Sequence, residues 1–302
     1  MSPDALRNAQ ILKAERNAVL VFTAHPKSKY DRQTTVLAVG PLELRAAACQ
    51  PQNGDPPIVV YQHAPIRPLV CHPRAAAIDS RHTACHSEPV PGGVQIQPAG
   101  RNWVGTLAGL CRIGPPGDPA SYAALTNWHV ADGTDESPLV PVHQPFTDRS
   151  RIATCDRYCR PRAGITNYAD AAAGSCFVER KHTLARELLN LGLPSPMPVD
   201  LQTGEQVCKS GRTTGVTYGR VTGTGAATRV SYGDFEATFA DQDVIEGTAG
   251  NFSAGGDSGS QILRCSDKSP AALLFAGGGN ITIACPMRHV TEALGLLWPI
   301  IP

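Results

Sequence analysis

The chain has 302 residues, 42% of them hydrophobic, with a formal net charge of +1. That length leaves room for a second small unit beside a main domain, and the near-zero charge without a basic run gives no case for nucleic acid as a partner. No apolar stretch is long enough to cross a bilayer as a helix, whereas 29 glycines and 26 prolines supply turns for a mainly β body.

In chain order, Met1–Asn8 lacks the basic start and apolar core of a secretion signal. The opening methionine and that missing signal predict a cytoplasmic chain. Leu6, Ile11, Leu12 and Ala14 predict an amphipathic helix over Ala5 to Asn17. Strands are predicted over 19–23, 35–39 and 58–61, separated by Pro, Gly, Asn and Asp. These residues predict a small α+β unit over 1–90. It closes in a linker, Pro65 to Pro91, rich in Pro, His and Cys. Within the linker, Cys71-His72 and Cys85-His86 flank His82. Without a tight C-x2-C knuckle, thiols or a disulfide are preferred there to zinc. Cys155 and Cys159 also lack a second pair at metal-ligand spacing, so no metal is expected.

The main body, 91–302, contains the residues that carry chemistry. Tyr122 to Val130 reads as a short apolar strand ending in Asn127-Trp128-His129. A strand end fixes the backbone and lets an imidazole reach a cleft. Asn167-Tyr168-Ala169-Asp170-Ala171-Ala172-Ala173 sets one acid among small apolar residues, where an unpaired carboxylate is costly. His129 is its expected partner; Asp132, Asp148 and Asp156 lie in loop-like sequence and are expected to be solvated. Gly256-Asp257-Ser258-Gly259-Ser260 then precedes the apolar run Gln261-Ile262-Leu263. Its glycines allow a tight turn in which the N–H groups of Gly256 and Ser258 point to one spot. A serine hydroxyl needs such donors and a base to act as a nucleophile. Gly223-Thr224-Gly225 and Gly277-Gly278-Gly279 are not phosphate loops: the first reads as a hairpin, and the second lacks a following Lys-Ser/Thr.

The order His129, Asp170, Ser258 is that of chymotrypsin-like enzymes and differs from subtilisins and α/β-hydrolases. From about Gly93 onward the chain resembles the bacterial type of trypsin/chymotrypsin-like serine peptidases. It is especially similar to the branch that includes α-lytic protease and to the intracellular relatives of the plant narrow-leaf protease. The motifs carrying this are Thr126–Val130, Asp170-Ala171-Ala172, Ser210-Gly211-Arg212-Thr213-Thr214-Gly215, Leu273–Asn280 and Val290–Leu294.

The resemblance implies a mainly β fold of two six-stranded barrels with the triad at their junction. It implies a serine endopeptidase acting on protein or peptide substrates without a cofactor: Ser258 as nucleophile, His129 as base, Asp170 as orienter, and Gly256 and Ser258 as the oxyanion hole. A catalytically silent peptide-binding module on the same fold, or an esterase, is the alternative. Arg212 is expected to pair with Asp257 and hold the turn. Phe252, six positions before the serine, is expected at the floor of the specificity pocket, with Ala276, Gly277 and Gly278 as its wall. That floor carries no acid, so uncharged side chains are expected ahead of arginine and lysine. Ten cysteines suggest disulfides, but the positions of two bridges typical of the secreted family hold Val130 and Tyr218, which favours reduced thiols. An active protease in the cytosol also needs restraint by tight specificity, a regulatory partner or self-association.

Overall fold

Strands form where short, apolar, β-branched or alanine-rich runs are bounded by Gly, Pro and Asp, which favour turns. The computed structural model describes residues 66–71, 77–87, 89–115, 118, 121–134, 137–147, 150–176 and 184–299, together with the backbones of three earlier strands. Six principal strands build the first half: β1 (Gln95–Pro98), β2 (Gly109–Arg112), β3 (Tyr122–Thr126), β4 (Val140–Gln144), β5 (Ser150–Cys159) and β6 (Ala171–Cys176). They are ordered β1-β4-β5-β6-β3-β2, with Gly105–Thr106 added beside β1. Six more build the second half: β7 (Gln206–Gly211), β8 (Gly215–Ser231), β9 (Glu236–Gly247), β10 (Gln261–Arg264), β11 (Pro270–Gly278) and β12 (Ile281–Pro286). Their order, β9-β12-β11-β10-β7-β8, closes on itself because β8 also pairs with β9. Closure leaves this half no internal sheet edge. The two halves that the resemblance implied are present.

Each half has its own core, and a third cluster joins them. Val94, Ile96, Leu107, Val130 and Ile152 pack in the first half, and Val207, Val221, Ile245, Phe252 and Ile262 in the second. Strand β11 shows how the junction forms. Its alternation sends Leu274 into the second-half core and Leu273 and Phe275 into the shared cluster with Leu125, Ala171 and Ala173. Both faces of the strand are therefore dry. Helix α1 (Trp128–Ala131) follows β3 directly, and α2 (Met287–Leu294) buries Met287, Val290 and Leu294 near the carboxyl end.

The predicted amino-terminal strands are present as Ala18–Ala24, Thr34–Val39 and Ile58–Gln62, each within a residue of its expected bounds. Ala18–Ala24 pairs antiparallel with β8 and with Thr34–Val39, which pairs parallel with Ile58–Gln62. The predicted helix over Ala5 to Asn17 lies outside the described residues, as does His72. Among the described residues no helix is long and apolar enough to cross a membrane.

Nine cysteines are described, and all are free thiols. Burial pushes Cys155, Cys176 and Cys208 up to about 12 and Cys159 up to about 11. Tyr218 stands across the hairpin from Cys208, as the sequence indicated, but the thiol of Cys265 lies beside Cys208 from another direction.

Candidate active site

Three separate elements bring the candidate triad together. His129 sits in α1, immediately after β3; Asp170 immediately precedes β6, the neighbour of β3; Ser258 sits in the turn before β10 of the other half. Asn127 does not cap α1 with its side chain; its Nδ2 donates instead to the Asp170 carbonyl oxygen at 2.7 Å, tying the histidine turn to the aspartate. His129 Nδ1 lies 2.6 Å from Asp170 Oδ2, and His129 Nε2 lies 2.8 Å from Ser258 Oγ. The His129 backbone N–H donates to Asp170 Oδ1 at 3.2 Å. Asp170 and Ser258 are fully buried and His129 is 7% exposed. Hydrogen bonds among dry, fixed groups keep both geometry and tautomer set.

Tyr232 completes the aspartate's surroundings. Its hydroxyl donates to Asp170 Oδ2 at 2.7 Å, and burial, then the Asp170 charge, raise its pKa well above the ordinary tyrosine value. The ring stacks on Phe235 with centroids 5.0 Å apart. No motif marks Tyr232, because it lies 62 residues beyond Asp170 and meets it only once the second barrel closes.

The turn at Ser258 depends on glycine. Gly256 has φ 103°, and a Cβ there would lie 2.4 Å from Thr213 Oγ1. That conformation aims the Gly256 N–H and the Ser258 N–H at a single acceptor, the Leu69 carbonyl oxygen, at 2.6 and 3.1 Å. Thr106 Oγ1 donates to the Gly256 carbonyl at 2.8 Å and fixes the peptide plane from the other half.

The cation serving Asp257 differs from the expected one. Lys209 Nζ lies 3.5 Å from Asp257 Oδ2, with both side chains fully buried. Lys209 also donates to Thr214 Oγ1 and, at 3.1 Å, to the Gly215 carbonyl. Asp257 accepts further from the N–H groups of Thr213, Thr214 and Ala254 and from the Thr214 hydroxyl. Arg212, the residue expected here, lies past the end of β7 and turns toward the first half. Its Nε donates to Gln95 Oε1 at 2.6 Å and its Nη1 to Thr213 Oγ1 at 3.3 Å. The expected pairing is corrected accordingly: Lys209 lies inside the strand, on the face that meets the carboxylate. Burial lowers the Lys209 pKa, opposed by the Asp257 charge.

The expected pocket residues all lie in the second half. Phe252 is fully buried in the second-half core, with Lys209 Nζ 6.0 Å from its ring centroid. Ala276 and Gly277 lie on β11 opposite Pro68 and Arg67, while Gly278 faces Ile281 at the end of that hairpin. The span expected to be a linker is thus in part a strap, 66–71, lying in the cleft. Among the described residues no group of three or more His, Cys, Asp and Glu side chains is placed to hold a metal ion.

The fold matches known architecture. The structure is similar to those of Cellulomonas bogoriensis chymotrypsin (19% identity, TM-score 0.50), Thermobifida fusca protease A (20%, 0.50) and the Nocardiopsis protease (18%, 0.51). The fold is chymotrypsin-like. The match covers 69%, 69% and 70% of this chain and 97%, 97% and 99% of those chains, so the chymotrypsin-like portion is a complete unit with additional chain beside it. No protein-family model matches the chain, and no curated protein matches it in sequence.

Proposed function

We propose that the protein is a serine endopeptidase that hydrolyses peptide bonds through an acyl-enzyme. The observation carrying this reading is the unbroken chain Asp170–His129–Ser258, at 2.6 and 2.8 Å, beside two N–H groups converging on one carbonyl oxygen. Nucleophile, base, orienter and oxyanion donors together are what acyl transfer requires. Ser258 Oγ attacks the scissile carbonyl carbon while His129 Nε2 takes its proton. The oxygen, now negative, stays on the N–H groups of Gly256 and Ser258. His129 returns the proton to the departing amine, and water enters by the same route in reverse to release the acid.

Asp170 holds the His129 tautomer and stabilises the imidazolium. Lys209, through Asp257, holds the turn that aims the oxyanion donors. The specificity pocket expected at Phe252 and Gly277 would take an uncharged side chain, because a desolvated cation without a counter-charge is costly. A second protein or a further copy of the chain remains an expected restraint.

Ser258→Ala, His129→Ala and Asp170→Asn should each lower turnover of a peptide substrate by roughly 10⁴-fold or more with the fold unchanged by circular dichroism. Near-normal turnover by Ser258→Ala would remove the reading altogether. Near-normal turnover by Asp170→Asn would remove only the role of that carboxylate.

A further inference from the structure

The strap at 66–71 lies in the cleft in the register of a substrate. Arg67–Pro68 pairs antiparallel with β11, Pro68 opposite Ala276 and Arg67 opposite Gly277, and the Ser231 N–H donates to the Ile66 carbonyl at 3.2 Å. The Leu69 N–H donates to Ser258 Oγ at 2.9 Å and to the Phe275 carbonyl at 3.3 Å. The Leu69 carbonyl oxygen occupies the meeting point of the Gly256 and Ser258 N–H groups, at 2.6 and 3.1 Å. Beyond the Leu69–Val70 bond the chain is held again: Cys71 and Val104 exchange both backbone hydrogen bonds, at 3.4 and 3.0 Å. The Leu69 side chain packs against the core cluster that contains Phe252, and a Cβ at Gly277 would sit 3.2 Å from its Cδ1.

Resting on the endopeptidase reading, we propose that the chain cleaves itself between Leu69 and Val70. A segment merely crossing a groove has no reason to place a carbonyl on both oxyanion donors while its two flanks are paired to opposite walls. Here one peptide bond is fixed on both sides, and its carbonyl faces the serine whose hydroxyl meets the triad histidine. Proximity of this kind converts a bimolecular reaction into a unimolecular one. Ser258 Oγ bonds to the Leu69 carbonyl carbon as His129 takes the hydroxyl proton. The bond to the Val70 nitrogen breaks, and His129 delivers that proton to it, leaving Val70 as a new amino terminus. Water then hydrolyses the Leu69 ester, freeing the Leu69 carboxylate and restoring Ser258.

The same register names a substrate class. The residue before the scissile bond is leucine or of similar size and apolar, proline is accepted one position earlier, and a β-branched residue is accepted after the bond. Until the bond is cut and the strap departs, the cleft is filled by the chain's own residues. Full activity toward other peptides therefore follows cleavage.

The test uses the full chain. Intact-mass spectrometry with amino-terminal sequencing should find fragments 1–69 and 70–302 in the wild type. They should appear at a rate unchanged over a hundredfold dilution, because the reaction is intramolecular. Ser258→Ala should stay whole. Val70→Pro should also stay whole, since the leaving nitrogen carries a ring that crowds the cleft. Leu69→Arg, which removes the side chain filling the pocket, should cleave at least roughly tenfold more slowly and react faster with a fluorophosphonate probe than Val70→Pro. If the wild type labels at Ser258 or cuts an added peptide yet stays whole, or is cut only in a concentration-dependent way, self-cleavage is overturned and the endopeptidase reading stands. If no form labels and none cuts a peptide, the endopeptidase reading fails and takes this one with it.

Discussion

Asp170 Oδ2 accepts from both His129 Nδ1 and the Tyr232 hydroxyl, so the tyrosine shares the work of holding that carboxylate in place. A hydrogen bond to a charged group contributes about 1.5–3 kcal/mol. Tyr232→Phe should therefore lower kcat by roughly tenfold or more with KM little changed, and an unchanged kcat would show that the tyrosine only packs. Lys209 is the more exacting case. Lys209→Met strands the buried Asp257 carboxylate, and breaking such a pair costs about 3–5 kcal/mol. A denaturation midpoint should report that loss, whereas Arg212→Met should disturb the contact to Gln95 and leave the Asp257 pairing in place. The contrast also shows what the sequence could and could not disclose. That Ser258, His129 and Asp170 would meet was legible in their local settings, a serine in a glycine turn, a histidine at a strand end and an acid among alanines. The choice of Lys209 over Arg212 was not. It depends on which side of β7 meets the turn, and a motif lists the residues of a hairpin without saying where each side chain ends.

At the scale of elements, the turn at 256–259 converts backbone geometry into electrostatics. Gly256→Ala puts a methyl group against Thr213 Oγ1 in a conformation with φ 103°, which L residues other than glycine rarely adopt. The Gly256 N–H should swing away, with a loss of roughly 10²–10³ in kcat; peptide-hydrolysis kinetics beside a melting curve separate this from simple unfolding. The early strands were legible from short apolar runs and turn residues, whereas the two barrels were expected only from the resemblance to chymotrypsin-like peptidases. The strap at 66–71 was invisible for a physical reason. Its position is set by main-chain hydrogen bonds to β11, Val104 and the Ser258 turn, and any non-proline residue offers the same N–H and C=O. Composition showed only a stretch rich in proline, histidine and cysteine, which reads equally well as an idle tether.

At the scale of the whole molecule, stability is set by what both barrels bury, including one group that resists burial. Asp243 on β9 is 3% exposed, and its Oδ2 has no hydrogen-bond partner among the described residues. Burial raises its pKa well above the ordinary carboxylate value, opposed by the Arg288 charge and reinforced by the acids Asp241, Asp200 and Glu205. The sign follows from proton linkage. A carboxyl whose folded pKa is raised holds its proton better in the native state, so its contribution is fully present below about pH 4, the unfolded value, and is lost as pH rises through the folded one. At neutral pH the choice is between an unpaired buried charge and the work of protonating it, and either lowers the stability of the whole fold. Asp243→Asn keeps the shape and removes the charge. It should stabilise the protein by roughly 1–3 kcal/mol at pH 7, with the gain shrinking toward zero by about pH 4. Urea denaturation of both proteins across that range is the measurement. A gain independent of pH would mean that the amide had found a new hydrogen bond, and a loss at pH 7 would mean that the carboxylate is paired in solution.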